Sequence, residues 1–222
     1  MLSPGFERDG FVIVPRVLDG SACAELASHI ESANSRSGGT RQLLREAWCA
    51  TLAAALPGQA PLSALIPSGH VAVQCTYFEK HAARNWLVPL HQDLAIPVAE
   101  RVDGPALRGW STKEGQLFVL PPAEVLAQLV ALRLHVDGCG VEDGPLRVVP
   151  GSHRHGIASD EQAAAARGRD VACTLDAGDA LVMRPLLLHA SSKSTGHHRR
   201  RVLHFLFGPR ALPHGLRWAH AA

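Results

Sequence analysis

A change of hydrophobic period at His70 limits the folds open to this chain. Before it, apolar residues recur at helical spacing. Cys23, Leu26, Ala27 and Ile30 share one face of a helix that Asp19 or Ser21 can cap and that is expected to run to about Asn34. Thr40 is placed to cap a second helix carrying Leu43, Leu44, Trp48, Leu52 and Ala55, which Pro57-Gly58 ends. From His70 onward, short β-type runs are separated by Gly, Pro and Asp. They are Val71–Phe78, Leu87–Leu90, Val130–Val136, Leu146–Val149, Val171–Leu175, Ala180–Met183, Leu186–His189 and Val202–Phe207. Many short strands with turn signals between them predict a sandwich or barrel, with the helices as support.

The chain has 222 residues, 46% hydrophobic and 19% charged. That excludes a disordered chain and suffices for the core of one ordinary domain. A net charge of only +2 gives no field for nucleic acid. No run reaches the roughly 18 apolar residues of a membrane span. The five cysteines are widely spaced and form no CxxC, which argues against a disulfide framework or a cysteine zinc site. The charged N-terminus lacks the apolar core of a signal peptide, so a cytoplasmic setting is expected. The segment Glu161–Arg169 reads as a small helix or an excursion. Arg101–Glu114, with Gly104, Pro105, Gly109 and Trp110, reads as a long loop suited to a lid.

Histidine is abundant, at 13 residues. In His91-Gln92-Asp93, at the end of a short strand, alternation turns His91 and Asp93 to one face and Gln92 to the other. An imidazole and a carboxylate side by side are two facial ligands of a divalent metal, and a third histidine completes the triad used by non-haem Fe(II). HxD alone is a weak signal: His135-Val136-Asp137 is a second copy, and His153-Arg154-His155 adds an HxH. The wider pattern singles out His189, which ends the run Leu186-Leu187-Leu188. Ser191 follows two residues later and Arg200 eleven later. A guanidinium there can grip a carboxylate with two parallel hydrogen bonds, and Ser191 can donate a third. Alternation places Arg200, Val202 and His204 on one face and Leu203, Phe205 and Phe207 on the other.

These motifs resemble the phytanoyl-CoA dioxygenase family of Fe(II)/2-oxoglutarate oxygenases. The resemblance is carried by His91-Gln92-Asp93-Leu94, then by Glu142-Asp143-Gly144-Pro145-Leu146-Arg147-Val148-Val149-Pro150-Gly151-Ser152-His153. Ala177-Gly178-Asp179-Ala180, His189-Ala190-Ser191 and Arg200 follow, and Asp9-Gly10-Phe11-Val12-Ile13-Val14-Pro15 looks like the family's opening. Coverage is nearly the whole chain, in the expected order.

The resemblance implies a mainly β fold with flanking helices: a double-stranded β-helix, or cupin-like jelly-roll barrel, of about eight strands. Residues 1–222 would form one domain, with 1–66 as helical support on the larger sheet and 70–210 as the barrel core. It implies iron ligands His91, Asp93 and His189. Arg200 and Ser191 would take the distal carboxylate of 2-oxoglutarate, and Thr76 and Arg133 fall at positions that face the co-substrate. Arg133 stands where the family's best-known member has an aromatic residue. If Arg133 faces inward, so does His135, which then joins Asn85, Trp86 and Trp110 as a substrate-pocket candidate. The implied cofactors are Fe(II), 2-oxoglutarate and O2. The implied reaction is hydroxylation of a small molecule, releasing succinate and carbon dioxide. A carboxylate at Asp93 argues against halogenation, because related halogenases carry a small residue there. A metal-binding protein without turnover and a zinc hydrolase are the alternatives; a hydrolase has no use for Arg200 or Ser191.

Overall fold

The computed structural model describes residues 4–33 and 40–222. The chain opens with α1 (Pro4–Asp9) and β1 (Phe11–Val14), then α2 (Gly20–Ala33) and α3 (Ala47–Ala55). It continues through β2 (His70–Lys80), β3 (Val88–His91), β4 (Ile96–Pro97), β5 (Arg108–Lys113) and β6 (Gln116–Leu120). Strands β7 (Val130–His135), β8 (Leu146–Val148), β9 (Val171–Cys173), β10 (Ala180–Met183), β11 (His189–Ser191) and β12 (Arg200–Pro209) complete it. The strands pair antiparallel in three sheets, ordered β1-β10-β7-β12-β2, β3-β11-β8-β9 and β4-β6-β5. The protein is therefore mainly β with flanking helices. Among the described residues no helix is long and apolar enough to cross a membrane.

The five-stranded sheet has two different faces. On the outer one, Leu132, Leu134, Leu203, Phe205 and Phe207 form a core with Leu26 and Ile30 of α2, Cys49 and Ala53 of α3, and Leu56, Leu62 and Ile66. On the inner one, Ala131, Leu181, Met183 and Leu206 share a core with Leu146, Val148 and Cys173 of the four-stranded sheet. Helices cover one side, and the second sheet covers the other.

A bulge in β2 sets which side chains reach the interior. Gln74 pairs with Leu206 and Ala72 with Phe207, leaving Val73 as an extra residue on β2. Val71 and Val73 join the inner core. Beyond the bulge the phase shifts, so Cys75 and Tyr77 enter the outer core. Thr76 and Lys80 thereby face inward.

Several expectations are corrected. Within the mostly helical first third, Phe11–Val14 adds an edge strand against β10 that was not expected. Asp19 caps α2, its Oδ1 accepting from Ala22 N at 2.9 Å; the expected end at Asn34 lies outside the described residues. Thr40 caps no helix: its hydroxyl donates to Glu114 Oε2 at 3.0 Å. The second helix is split, with a single turn at Leu43–Arg45, extended backbone at Glu46, and α3 after it. Arg101–Glu114 is only partly loop, since Arg108–Lys113 pairs with Gln116–Leu120 as a hairpin. Leu186–Leu188 form a turn, and the strand begins at His189.

Candidate active site

His91 ends β3, and Gln92 locks the strand end in place. Its Nε2 donates to Gly156 O at 2.9 Å and Leu186 O at 2.6 Å, and its Oε1 accepts from Ala158 N at 2.9 Å. Asp93 N donates to Pro185 O at 3.0 Å. These bonds tie His91-Gln92-Asp93 to the turn that leads into His189. Across the β3–β11 pairing, His189 stands opposite His91, with ring centroids 4.2 Å apart. The Ser152 hydroxyl of the Pro-Gly-Ser-His turn accepts from Leu188 N at 2.8 Å, steadying the residue just before His189.

Asp93 sits between the rings, its Oδ1 3.9 Å from His91 Nε2 and its Oδ2 3.7 Å from His189 Nε2. Each Nδ1 lies 2.8 Å from a carbonyl, Pro89 O for His91 and Leu187 O for His189. A carbonyl can only accept, so each Nδ1 carries the hydrogen and each Nε2 keeps its lone pair. Burial pushes His189 down to about 4, against the pull of Asp93. Burial would raise Asp93, but His189, His204, His91 and Arg133 together hold it below its ordinary value. Two imidazoles and a carboxylate, with ligand atoms within 4.8 Å of one another, fit a divalent metal.

A cavity of about 450 Å³ opens on the triad. Its lining also includes Thr76, Lys80, Trp86, Arg133, Ser191, Arg200 and His204. Ser191 follows His189 on the same face of β11. Its hydroxyl donates to Gly144 O at 3.0 Å and accepts from Lys80 Nζ at 2.7 Å. Arg200 Nη1 donates to the same Gly144 carbonyl. Gly144 has a φ of 63°, and a Cβ there would lie 2.5 Å from Ser192 O, so this shared acceptor requires glycine.

Lys80, Arg133 and Arg200 are buried with no carboxylate at salt-bridge distance among the described residues. Nε of both arginines is unpartnered. Burial, with Arg200 and Arg133 adding, pushes Lys80 down to about 8, and burial, with Arg200 adding, pushes Arg133 down to about 10. Unpaired buried charge is costly, and an anionic ligand would relieve it.

The remaining candidates lie elsewhere. His135 is buried, with its Nδ1 unpartnered, but does not line this cavity. Asn85 is outside the lining and clasps the Ser194 backbone, donating to O at 2.6 Å and accepting from N at 2.8 Å. Trp110 lies beneath Arg101 and packs toward the inner core, also outside the lining. Asp137 of the second HxD is paired with Arg201 at 2.8 Å, and His153 of the HxH is 3.2 Å from Glu7 O. Lys80 and His204 escaped the sequence reading as site residues. Alternation from Thr76 and from Arg200 points to both.

The sequence model of the phytanoyl-CoA dioxygenase (PhyH) family matches residues 6–202. The chain belongs to this family. As a phytanoyl-CoA dioxygenase family member it is a non-haem iron enzyme dependent on 2-oxoglutarate, with O2 as the usual co-substrate. No curated protein matches the sequence. Among solved structures, the fold is similar to the epimerase SnoN from nogalamycin biosynthesis in complex with Fe3+, alpha ketoglutarate and nogalamycin RO. That match has 20% identity and a TM-score of 0.69, covering 95% of this chain and 84% of that one. HygX from Streptomyces hygroscopicus, with nickel and 2-oxoglutarate bound, is 17% identical with a TM-score of 0.63, covering 92% and 84%. The carbocyclase SnoK from nogalamycin biosynthesis is 16% identical with a TM-score of 0.63, covering 94% and 84%.

Proposed function

We propose that this protein is an Fe(II)- and 2-oxoglutarate-dependent dioxygenase that hydroxylates a small organic molecule and releases succinate and carbon dioxide. The observation that carries the reading is the cavity that joins His91, Asp93 and His189 to Arg200, Ser191 and Lys80. One end offers a metal triad and the other offers unpaired cations, which suits a dicarboxylate that reaches both. The wider reading is one domain over residues 1–222, its two larger sheets forming a double-stranded β-helix.

His91, Asp93 and His189 would hold the iron. With 2-oxoglutarate and O2 as co-substrates, the metal would supply the oxidation of a C–H bond. Arg200 and Lys80 bind the distal carboxylate of 2-oxoglutarate and Ser191 orients it, while Thr76 and Arg133 flank the co-substrate. Apolar Phe78, Ile96, Phe118, Leu120 and Leu206 in the lining exclude water from the reacting end. The β5–β6 hairpin contributes Lys113, Phe118 and Leu120 to that wall. Its turn residue Glu114 accepts from Arg41 N at 2.9 Å and Arg41 Nη1 at 2.8 Å, holding the hairpin against residues 40–41. Trp86 is the substrate-pocket candidate that the cavity supports.

The test is anaerobic binding of Fe(II) and 2-oxoglutarate, followed by a screen of small molecules scored by succinate release. Iron-dependent 2-oxoglutarate binding and substrate-stimulated succinate are expected. Zinc-dependent activity that survives without 2-oxoglutarate would overturn the reading in favour of a hydrolase.

A further inference from the structure

Three imidazoles surround the Asp93 carboxylate at nearly equal range. Their Nε2 atoms lie 3.9 Å (His91), 3.7 Å (His189) and 3.8 Å (His204) from its oxygens. Distance to Asp93 alone does not say which of the three are ligands, but only His91 and His189 join Asp93 in a set whose ligand atoms all lie within 4.8 Å of one another. The hydrogen bonds at the other ring nitrogens agree. Nδ1 of His91 and of His189 faces a carbonyl, which leaves Nε2 as a lone pair. Nδ1 of His204 faces Arg133 Nη1 at 2.9 Å. A guanidinium has only donors, so Nδ1 of His204 must accept and Nε2 must carry the hydrogen. Phe78 braces both partners, its ring 5.2 Å from the Arg133 guanidinium and edge-on to His204 at 6.0 Å. No side chain hydrogen-bonds the Asp93 carboxylate among the described residues; the N–H of His204 faces Oδ2 at 3.8 Å, a polar contact longer than a hydrogen bond, and the His189 Nε2 that lies 3.7 Å from the same oxygen offers a lone pair instead.

We infer that His204 is a positioning residue, not a fourth ligand: Arg133 fixes its tautomer, and its Nε2–H orients the Asp93 carboxylate toward the metal. The pair is an outer shell for the carboxylate ligand, as the carbonyls of Pro89 and Leu187 are for the two histidines. The inference rests on the triad reading above.

The probe is Co(II), titrated anaerobically without 2-oxoglutarate and followed by its visible absorption. His204→Leu is expected to weaken Co(II) binding about 10-fold, the lower end of the usual outer-shell effect. His204→Gln can accept from Arg133 and donate onward, so it should bind closer to wild type and keep the wild-type band shape. Arg133→Met frees the tautomer and should weaken binding as His204→Leu does. Thermal unfolding without metal checks that each variant is folded, and an unfolded His204→Leu leaves the other two variants to decide. His204→Gln binding as poorly as His204→Leu would overturn the inference. So would a His204→Gln spectrum altered in the way that His189→Ala alters it. Wild-type protein that binds no Co(II) would instead bring down the triad reading, and this inference with it.

Discussion

The two faces of β12 are built from the same ten residues and obey opposite rules. Outward, Leu203, Phe205 and Phe207 are fully buried among apolar partners beneath the helices. Inward, Arg200 and His204 line a cavity with the cations Lys80 and Arg133, and Nε of Arg200 has no partner. The outer face lowers the free energy of the fold by removing apolar surface from water. The inner face accepts unpaired charge, which disfavours the empty protein and favours one holding an anion. One strand thus separates stability from chemistry by alternation alone.

The sharpest way to break this contrast is to remove a ligand on the cavity side. Asp93→Ala or His189→Ala should abolish iron binding and bring succinate release to background, with little change in the metal-free thermal midpoint. Turnover surviving in either variant would sink the assigned triad. On the other face, Phe205→Ala should cost roughly 3–5 kcal/mol in urea unfolding. Well below its midpoint, the 2-oxoglutarate affinity of the same variant should stay near wild type. A matching loss of affinity would mean that the faces are coupled.

Arg200→Ala should weaken 2-oxoglutarate by about 1.5–3 kcal/mol, the usual worth of a hydrogen bond to a charged group, or roughly 10- to 150-fold in apparent Kd. The iron requirement should move far less, and equal shifts in both would contradict the proposed role. The smallest effect is a pH dependence. Lys80 is pushed down to about 8 from 10.5 by burial, then by Arg200 and Arg133. A dianionic co-substrate prefers the protonated amine, so affinity should be flat below about pH 8 and fall above it. The fall is at most roughly tenfold per pH unit, as expected for one proton. Lys80→Met should bind more weakly and lose this slope; a slope that persists would assign it to another group.

The candidate triad was legible in part because two of its members are close neighbours in the chain. His91 and Asp93 share a face by alternation, and His189 is marked by the apolar run before it and by Ser191 and Arg200 after it. The pocket was less legible. Asn85 and Trp110 sit in segments suited to a rim, but one clasps the Ser194 backbone and the other packs under Arg101. His135 shares the inward phase of Arg133, yet it is buried beyond the cavity lining. The β5–β6 hairpin was hidden because Arg108–Lys113 is polar and rich in turn signals, and its strand character comes from pairing with Gln116–Leu120.

By itself, the sequence determined the mainly β character and the helical support, because hydrophobic period is a property of a few consecutive residues; the His-Asp-His set came from the HxD spacing together with the family resemblance. Only the tertiary structure decided that Val73 bulges and turns Lys80 inward, that Gly144 offers one carbonyl to both Ser191 and Arg200, and that His204 stands against Asp93 with its tautomer set by Arg133. Each of those depends on residues far apart in the chain, whose register and donor–acceptor pairing exist only once the strands have met.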